Sequence, residues 1–171
     1  MRTCRLTSIV GLLILLAACA GKEYEPSPFP GARRAPSAPV PSPGGTAVGA
    51  TAFERARTLL GTPYRSGGAT PAGFDCSGLV YYVFGQTGSE VPRTVRDLFK
   101  ESLSVERDAI AAGDLVFFRT NGRRISHVGI ANGNGSFVHA PTSSGVVRIE
   151  QLSSMYWAGR FAGARRLPSA R

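Results

Sequence analysis

Beyond residue 50 the spacing of apolar residues changes period once. Phe53, Ala56, Leu59 and Leu60 recur at three- and four-residue intervals, which predicts a helix over 51–60 stopped by Gly61. Cys76, Leu79, Val80, Val83 and Phe84 fall at i, i+3, i+4, i+7 and i+8, which predicts a second helix from 76 to about 84, broken by Gly85 and Gly88. The sulfur shares the apolar face and should meet a cleft wall, not open solvent. A third helix is predicted after Pro92, over 93–100. Short runs at 114–118, 126–131, 136–140, 145–149 and 159–166, separated by Gly, Asn and Ser, then predict an antiparallel meander. Helices first and strands second make an α+β domain.

One hairpin can be placed in register. If the strands around His127 and His139 close over Asn132-Gly133-Asn134, pairing is symmetric about Gly133 and the two histidines lie directly opposite. Their Cβ atoms would then be roughly 4.5–5.5 Å apart on one face. Val128, Ile130, Val138 and Ala140 fall on the other face, and Gly129 leaves room for a neighbouring element. A one-residue slip would separate the histidines.

The chain before residue 51 reads differently. Arg2 and Arg5 precede an apolar stretch from Ile9 to Leu16 and then small residues, a secretory layout too short to span a bilayer. Leu16-Ala17-Ala18-Cys19 resembles a bacterial lipobox, which implies a signal peptide over 1–18 and lipid on Cys19; an ordinary signal cleavage site is the competing expectation. Acyl chains, at roughly 0.8 kcal/mol per buried methylene, would anchor the protein without a membrane-spanning helix. Ala20 follows where Asp would suggest inner-membrane retention, so the periplasmic face of the outer membrane is expected. Residues 19–50, with Pro26, Pro28, Pro30, Pro36, Pro39, Pro41 and Pro43, cannot bury enough surface to order themselves and read as a disordered tether. Residues 51–171 suit one domain with a single core.

Charge and cysteine count narrow the chemistry. The formal net charge is +9, carried almost wholly by Arg. The basic residues are scattered and no aromatic-rich basic motif accompanies them, so no nucleic-acid partner is expected and an anionic wall or membrane surface is the better match. Of three cysteines, Cys4 leaves with the signal and Cys19 takes lipid, so Cys76 remains without a partner. A lone exported thiol is a liability unless buried or used.

Gly73-Phe74-Asp75-Cys76-Ser77-Gly78 puts that thiol at a helix start, where neighbouring amides and an imidazole can lower its pKa to roughly 3.5–7.5. His127 would act as general base and then acid, with His139 holding its orientation and tautomer. The Cys76 backbone N–H and the Tyr64 phenol are candidate oxyanion donors, although Tyr64 could equally be a loop aromatic packed on the sheet. Asp75 is first a helix cap and second a contact for a substrate amine. Ser77 has similar standing, and Gly78 permits close packing. Arg93 is either a solvated helix-start residue or a partner for a substrate carboxylate. Zinc held by Cys76, His127 and His139 is disfavoured without a Cys-x-x-Cys or His-x-x-x-His pair, so no metal and no cofactor are expected.

Gly61-Thr62-Pro63-Tyr64, Phe74-Asp75-Cys76-Ser77-Gly78-Leu79-Val80, Pro92-Arg93, Gly113-Asp114-Leu115-Val116-Phe117-Phe118, Ser126-His127-Val128-Gly129-Ile130 and Phe137-Val138-His139-Ala140 together resemble the NlpC-type cell-wall peptidase family. The resemblance implies a minimal papain-like fold, N-terminal helices on a five- to six-stranded, mainly antiparallel sheet. It implies a Cys76-His127-His139 triad with Tyr64 as oxyanion tyrosine. It also implies a monomeric, lipid-anchored peptidoglycan endopeptidase cutting a stem or cross-link amide that involves diaminopimelate. Two other readings stay open: a non-catalytic wall-binding or adaptor lipoprotein, and an acyltransferase or amidase using the same thioester chemistry.

Overall fold

The computed structural model describes residues 46–141 and 145–168. Cys19, the signal and most of the tether lie outside them. Among the described residues no helix is long and apolar enough to cross a membrane.

Helix α1 (Ala47–Thr58) begins four residues before the predicted start, because Thr46 caps it by accepting the Gly49 N–H at 2.9 Å. Its buried positions are Gly49, Ala52, Phe53 and Ala56. Gly49, before the predicted start, has no side chain to register in a hydrophobic pattern. Gly49 is small for a reason: the backbone of Gly113 packs directly on it, and a Cβ on Gly113 would overlap the Gly49 backbone. A hairpin of β1 (Ala69–Thr70) and β2 (Gly73–Phe74) leads into α2 (Cys76–Gly85). Helix α3 (Val95–Glu101) starts two residues later than expected because Thr94 is its cap, accepting the Asp97 N–H at 3.2 Å. Arg93 is thereby left outside the helix.

The remaining strands are β3 (Leu103–Val105), β4 (Ala112–Phe118), β5 (His127–Asn132), β6 (Ser136–His139), β7 (Arg148–Gln151) and β8 (Phe161–Arg166), with a one-turn helix α4 (Met155–Ala158) before the last. They form an antiparallel six-stranded sheet in the order β3-β8-β4-β5-β6-β7. The α+β expectation and its strand number hold. Strand β4 is buried throughout, since helices cover one face of the sheet and α4 the other. Leu115 and Phe117 join Phe53, Leu79 and Val80 in the main core. Val116 and Phe118 join Phe137, Ala131 and Trp157 in a second cluster. Each fully buried Phe or Leu contributes roughly 1.5–3 kcal/mol relative to exposure.

Two local differences from the sequence reading matter for the site. Residues 145–147, expected to open a strand, instead pair with the loop after α1: Tyr64 N–H donates to Gly145 O at 2.8 Å, Val147 N–H to Thr62 O at 2.8 Å, and Gly61 N–H to Val147 O at 2.9 Å. The sheet strand begins only at Arg148. The β5–β6 hairpin is centred on Asn134, not Gly133, with Ile130 opposite Val138 and Ala131 opposite Phe137. Positive φ at both Gly133 and Gly135 and an Asn132 side chain accepting the Asn134 and Ser136 amides set that three-residue turn. The change moves each partner by two residues, so facing is preserved: His127 and His139 still share a side, now as diagonal neighbours.

Candidate active site

Asp75 terminates the β2 segment and caps α2, its Oδ1 accepting the Gly78 N–H at 2.6 Å. Cys76 is therefore the first helical residue, where amides lack helical partners. It is the free cysteine of the described residues and only 8 % exposed. Burial pushes its thiol up to about 11, the Val128 backbone N–H favours the thiolate, and the Asp75 charge opposes it. The expected depression below the ordinary value is not found. A sulfur tucked into the core face loses more by desolvation than the helix start returns. The influence of the Val128 N–H on the thiolate places the sulfur on the side of the residue that follows His127.

His127 and His139 are both buried. Their rings meet edge to face at 5.0 Å and 89°, and His127 Nε2 lies 2.8 Å from His139 Nδ1. The diagonal register makes this possible, because it offsets the rings enough for nitrogen to meet nitrogen. Phe137 fills the space that Gly129 leaves, where a Cβ would lie 2.5 Å from the Phe137 ring. The ring stacked on His127 is that of Trp157, at 5.5 Å and 23°, and Trp157 also stands edge-on to His139 at 4.9 Å. Burial lowers His127 to about 4. Burial, then His127 and Arg148, lower His139 to about 3. Both imidazoles are neutral at pH 7. His139 Nε2 is buried with no hydrogen-bond partner among the described residues.

Arg93 reaches back over α2 with both terminal nitrogens. They donate to Asp75 Oδ1 and Oδ2 at 2.9 and 2.8 Å, to Ser77 Oγ at 3.0 Å and to Gly68 O at 3.3 Å. Burial raises the Asp75 carboxyl, but Arg93 and Gly78 N–H more than offset it and leave it below the usual carboxylate range. Asp75, Ser77 and Arg93 are thus one cluster at the start of α2. Gly78 packs under Gly68 so closely that a Cβ would overlap the Gly68 carbonyl. Tyr64 is half-buried against the main core and bridges Phe74, in the loop that residues 145–147 pin.

Sequence reasoning did not single out the Val128 amide, Trp157 or Arg148. Trp157 is the chain's one tryptophan, which was the available signal. Among the described residues no group of three or more His, Cys, Asp or Glu side chains converges as a metal site.

Residues 61–166 match the NlpC/P60 family. The chain is 41 % identical over 121 residues to the murein DD-endopeptidase MepH of Escherichia coli K12, covering 68 % of this chain and 45 % of that protein. It is 35 % identical over 158 residues to the E. coli K12 protein named "Probable endopeptidase NlpC", covering 91 % of this chain and 97 % of that one. An NlpC/P60 family crystal structure from Bacillus cereus superposes with a TM-score of 0.67 at 29 % identity, covering 74 % of this chain and 43 % of that one. The chain spans half or less of the length of MepH and of the Bacillus subtilis gamma-DL-glutamyl hydrolase it also matches.

Proposed function

This chain belongs to the NlpC/P60 family, and on that premise we propose that it is a peptidoglycan endopeptidase, a cysteine peptidase that hydrolyses an amide in the stems or cross-links through Cys76, His127 and His139. The observation that carries the reading is the 2.8 Å contact of His127 Nε2 with His139 Nδ1, with Cys76 at the capped start of α2 as the free thiol of the described residues. With Nε2 committed to His139, Nδ1 of His127 serves the thiol.

A thiol near 11 and an imidazole near 4 form a neutral resting pair, not a thiolate–imidazolium pair. Proton transfer therefore accompanies attack. As sulfur bonds to the carbonyl carbon, its proton passes to His127 Nδ1 and the carbonyl π electrons move to oxygen. The Cys76 N–H and the Tyr64 phenol stabilise that oxyanion. Collapse breaks the carbon–nitrogen bond, His127 gives its proton to the leaving amine, and a thioester remains. Water then adds with His127 again as base, releasing a carboxylic acid and restoring the thiol. His127 must carry its resting proton on Nε2, so His139 accepts at Nδ1 and keeps its own proton on the orphaned Nε2. His139 holds the tautomer.

The reading extends to a monomer attached by lipid on Cys19 to the periplasmic face of the outer membrane, supported by the lipobox-like Leu16-Ala17-Ala18-Cys19. The test is product mass after digestion of purified cross-linked muropeptides. Wild type should convert dimers to monomers or trim stems at one bond, and Cys76→Ala should do neither. Binding to the wall without any cleaved amide would favour the adaptor reading; transfer of the acyl group to an amine would favour the acyltransferase.

A further inference from the structure

Basic residues that are scattered along the sequence meet at one end of the sheet. Resting on the endopeptidase reading, we propose that Arg119, Arg123, Arg124 and Arg160 form an exosite that holds a carboxylate-bearing strand of the wall polymer beside the catalytic cavity, away from the bond being cut.

The connection between β4 and β5 spans residues 119–126, with Arg124 opposite Asn121 and Gly122 in the left-handed region at the turn. Ser126 Oγ accepts the Thr120 and Asn121 amides at 3.1 Å, which fixes the turn. Arg119, Arg123 and Arg124 are exposed on it. The Arg119 N–H donates to Arg160 O at 2.9 Å, so the segment after α4 lies against the same connection. The Arg160 guanidinium packs 3.9 Å over the Tyr156 ring and donates to Tyr156 O at 2.9 Å. Thr120 and Tyr156 in turn line a cavity of about 450 Å³ together with His127. The basic rim therefore adjoins the cavity that reaches the imidazole.

Charge sets the kind of partner. Residues 119–126 and 153–166 contain no Asp or Glu. Arg57, Arg93, Arg148 and Arg166 each pair with a carboxylate, whereas among the described residues Arg119, Arg123, Arg124 and Arg160 pair with none. Glu150, which also lines the cavity, is already held by Arg148 at 2.9 Å. Four uncompensated cations on two joined segments suit a partner with repeated anions better than a single small one. The arginine fork fits carboxylate and phosphate alike, so a wall strand and an anionic lipid surface share this chemistry. Position decides between them. A membrane seated on this end would cover the cavity through which an amide must reach His127, whereas a strand lying along the rim leaves the next stem free to enter. Holding the strand at a second point raises the local concentration of stems without touching the reacting atoms, so KM falls and kcat does not change.

The test compares intact purified sacculi with a soluble cross-linked muropeptide dimer, using the full chain and its Arg123→Gln/Arg124→Gln variant. Both substitutions fall on exposed turn positions, and an unchanged thermal melt checks the fold. At low ionic strength the variant should digest sacculi with an apparent KM about five- to tenfold higher, the worth of two exposed ion contacts, and with unchanged kcat. Its rate on the dimer should equal that of wild type. The difference on sacculi should close at about 1 M salt, where charges are screened beyond roughly 3 Å. Equal sacculus kinetics for the two proteins would overturn the inference, as would an equal loss on sacculi and dimer. A variant that loses only binding to phosphatidylglycerol vesicles would overturn it too, by assigning the patch to a membrane. All three outcomes leave wild-type cleavage of the dimer, and so the endopeptidase, in place; failure of wild type to cleave either substrate would overturn both.

Discussion

Replacing Arg93 with methionine removes the one cation that ties together the start of α2, the Gly68 loop and Asp75. Four hydrogen bonds go with it, to Asp75 Oδ1 and Oδ2, Ser77 Oγ and Gly68 O. Breaking a fully buried pair of this kind costs roughly 3–5 kcal/mol. Here the Arg93 side chain is 35 % exposed and that of Asp75 is 17 % exposed, so water replaces part of the loss and about 2 kcal/mol is expected. For a domain of this size that lowers Tm by roughly 6–10 °C. The second effect is electrostatic. Asp75 already opposes the Cys76 thiolate, after burial, and Arg93 is the charge that offsets Asp75. Without it the thiol rises further above about 11, and alkylation of Cys76 by iodoacetamide at a fixed alkaline pH slows. Arg93→Lys keeps the charge without the fork, so it should restore the alkylation rate more completely than the melting temperature. The assay is alkylation rate against pH on the full chain, paired with a thermal melt. An Arg93→Met protein whose alkylation profile is unchanged would refute the electrostatic role, and an unchanged Tm would refute the structural one.

His127→Ala should lower kcat by about 10²–10⁴, the range for a general acid–base group, whereas His139→Ala should cost less and His139→Asn, which can still accept from His127, less again; single-turnover rates check the order. The pH profile of kcat/KM should stay flat from about 5 to about 10, because His127 accepts a proton above about 4 and the thiol ionises only near 11. Stability should be full above 6.5 and fall as pH drops toward 4, since the unfolded chain takes up the His127 proton first; the shift from 6.5 to about 4 is worth ~3 kcal/mol, read from denaturant melts across that range. Gly78→Ala forces a methyl into the Gly68 carbonyl and should destabilise by about 3 kcal/mol while displacing the loop that carries Tyr64, seen as lost activity at temperatures where the protein is still folded.

The helices and central strands were legible because apolar residues mark them: Leu79, Val80, Val83 and Phe84 define one face of α2, and Leu115 to Phe118 define a strand covered on both sides. Thr46 and Gly49 begin α1 without any hydrophobic signal, so its start was hidden. The strands β1, β2 and β3 and the single turn of α4 are too short for a period to show. The shared face of His127 and His139 survived a misjudged turn because the error was two residues, an even number. Their 2.8 Å contact could not be read, since it depends on the diagonal offset and on Trp157 arriving from α4. The raised thiol escaped sequence reasoning for a related reason. A helix start is visible in Asp75-Cys76-Ser77, but the burial that outweighs it is a property of the assembled core.

The covalent intermediate is the most direct test of the nucleophile. Full-length protein mixed with cross-linked muropeptide and quenched in acid within milliseconds should show, by intact mass and peptide mapping, an acyl group on Cys76 that hydroxylamine removes and that is absent from Cys76→Ser. Continued turnover by Cys76→Ser, or an acyl group mapped to any other residue, would contradict the account.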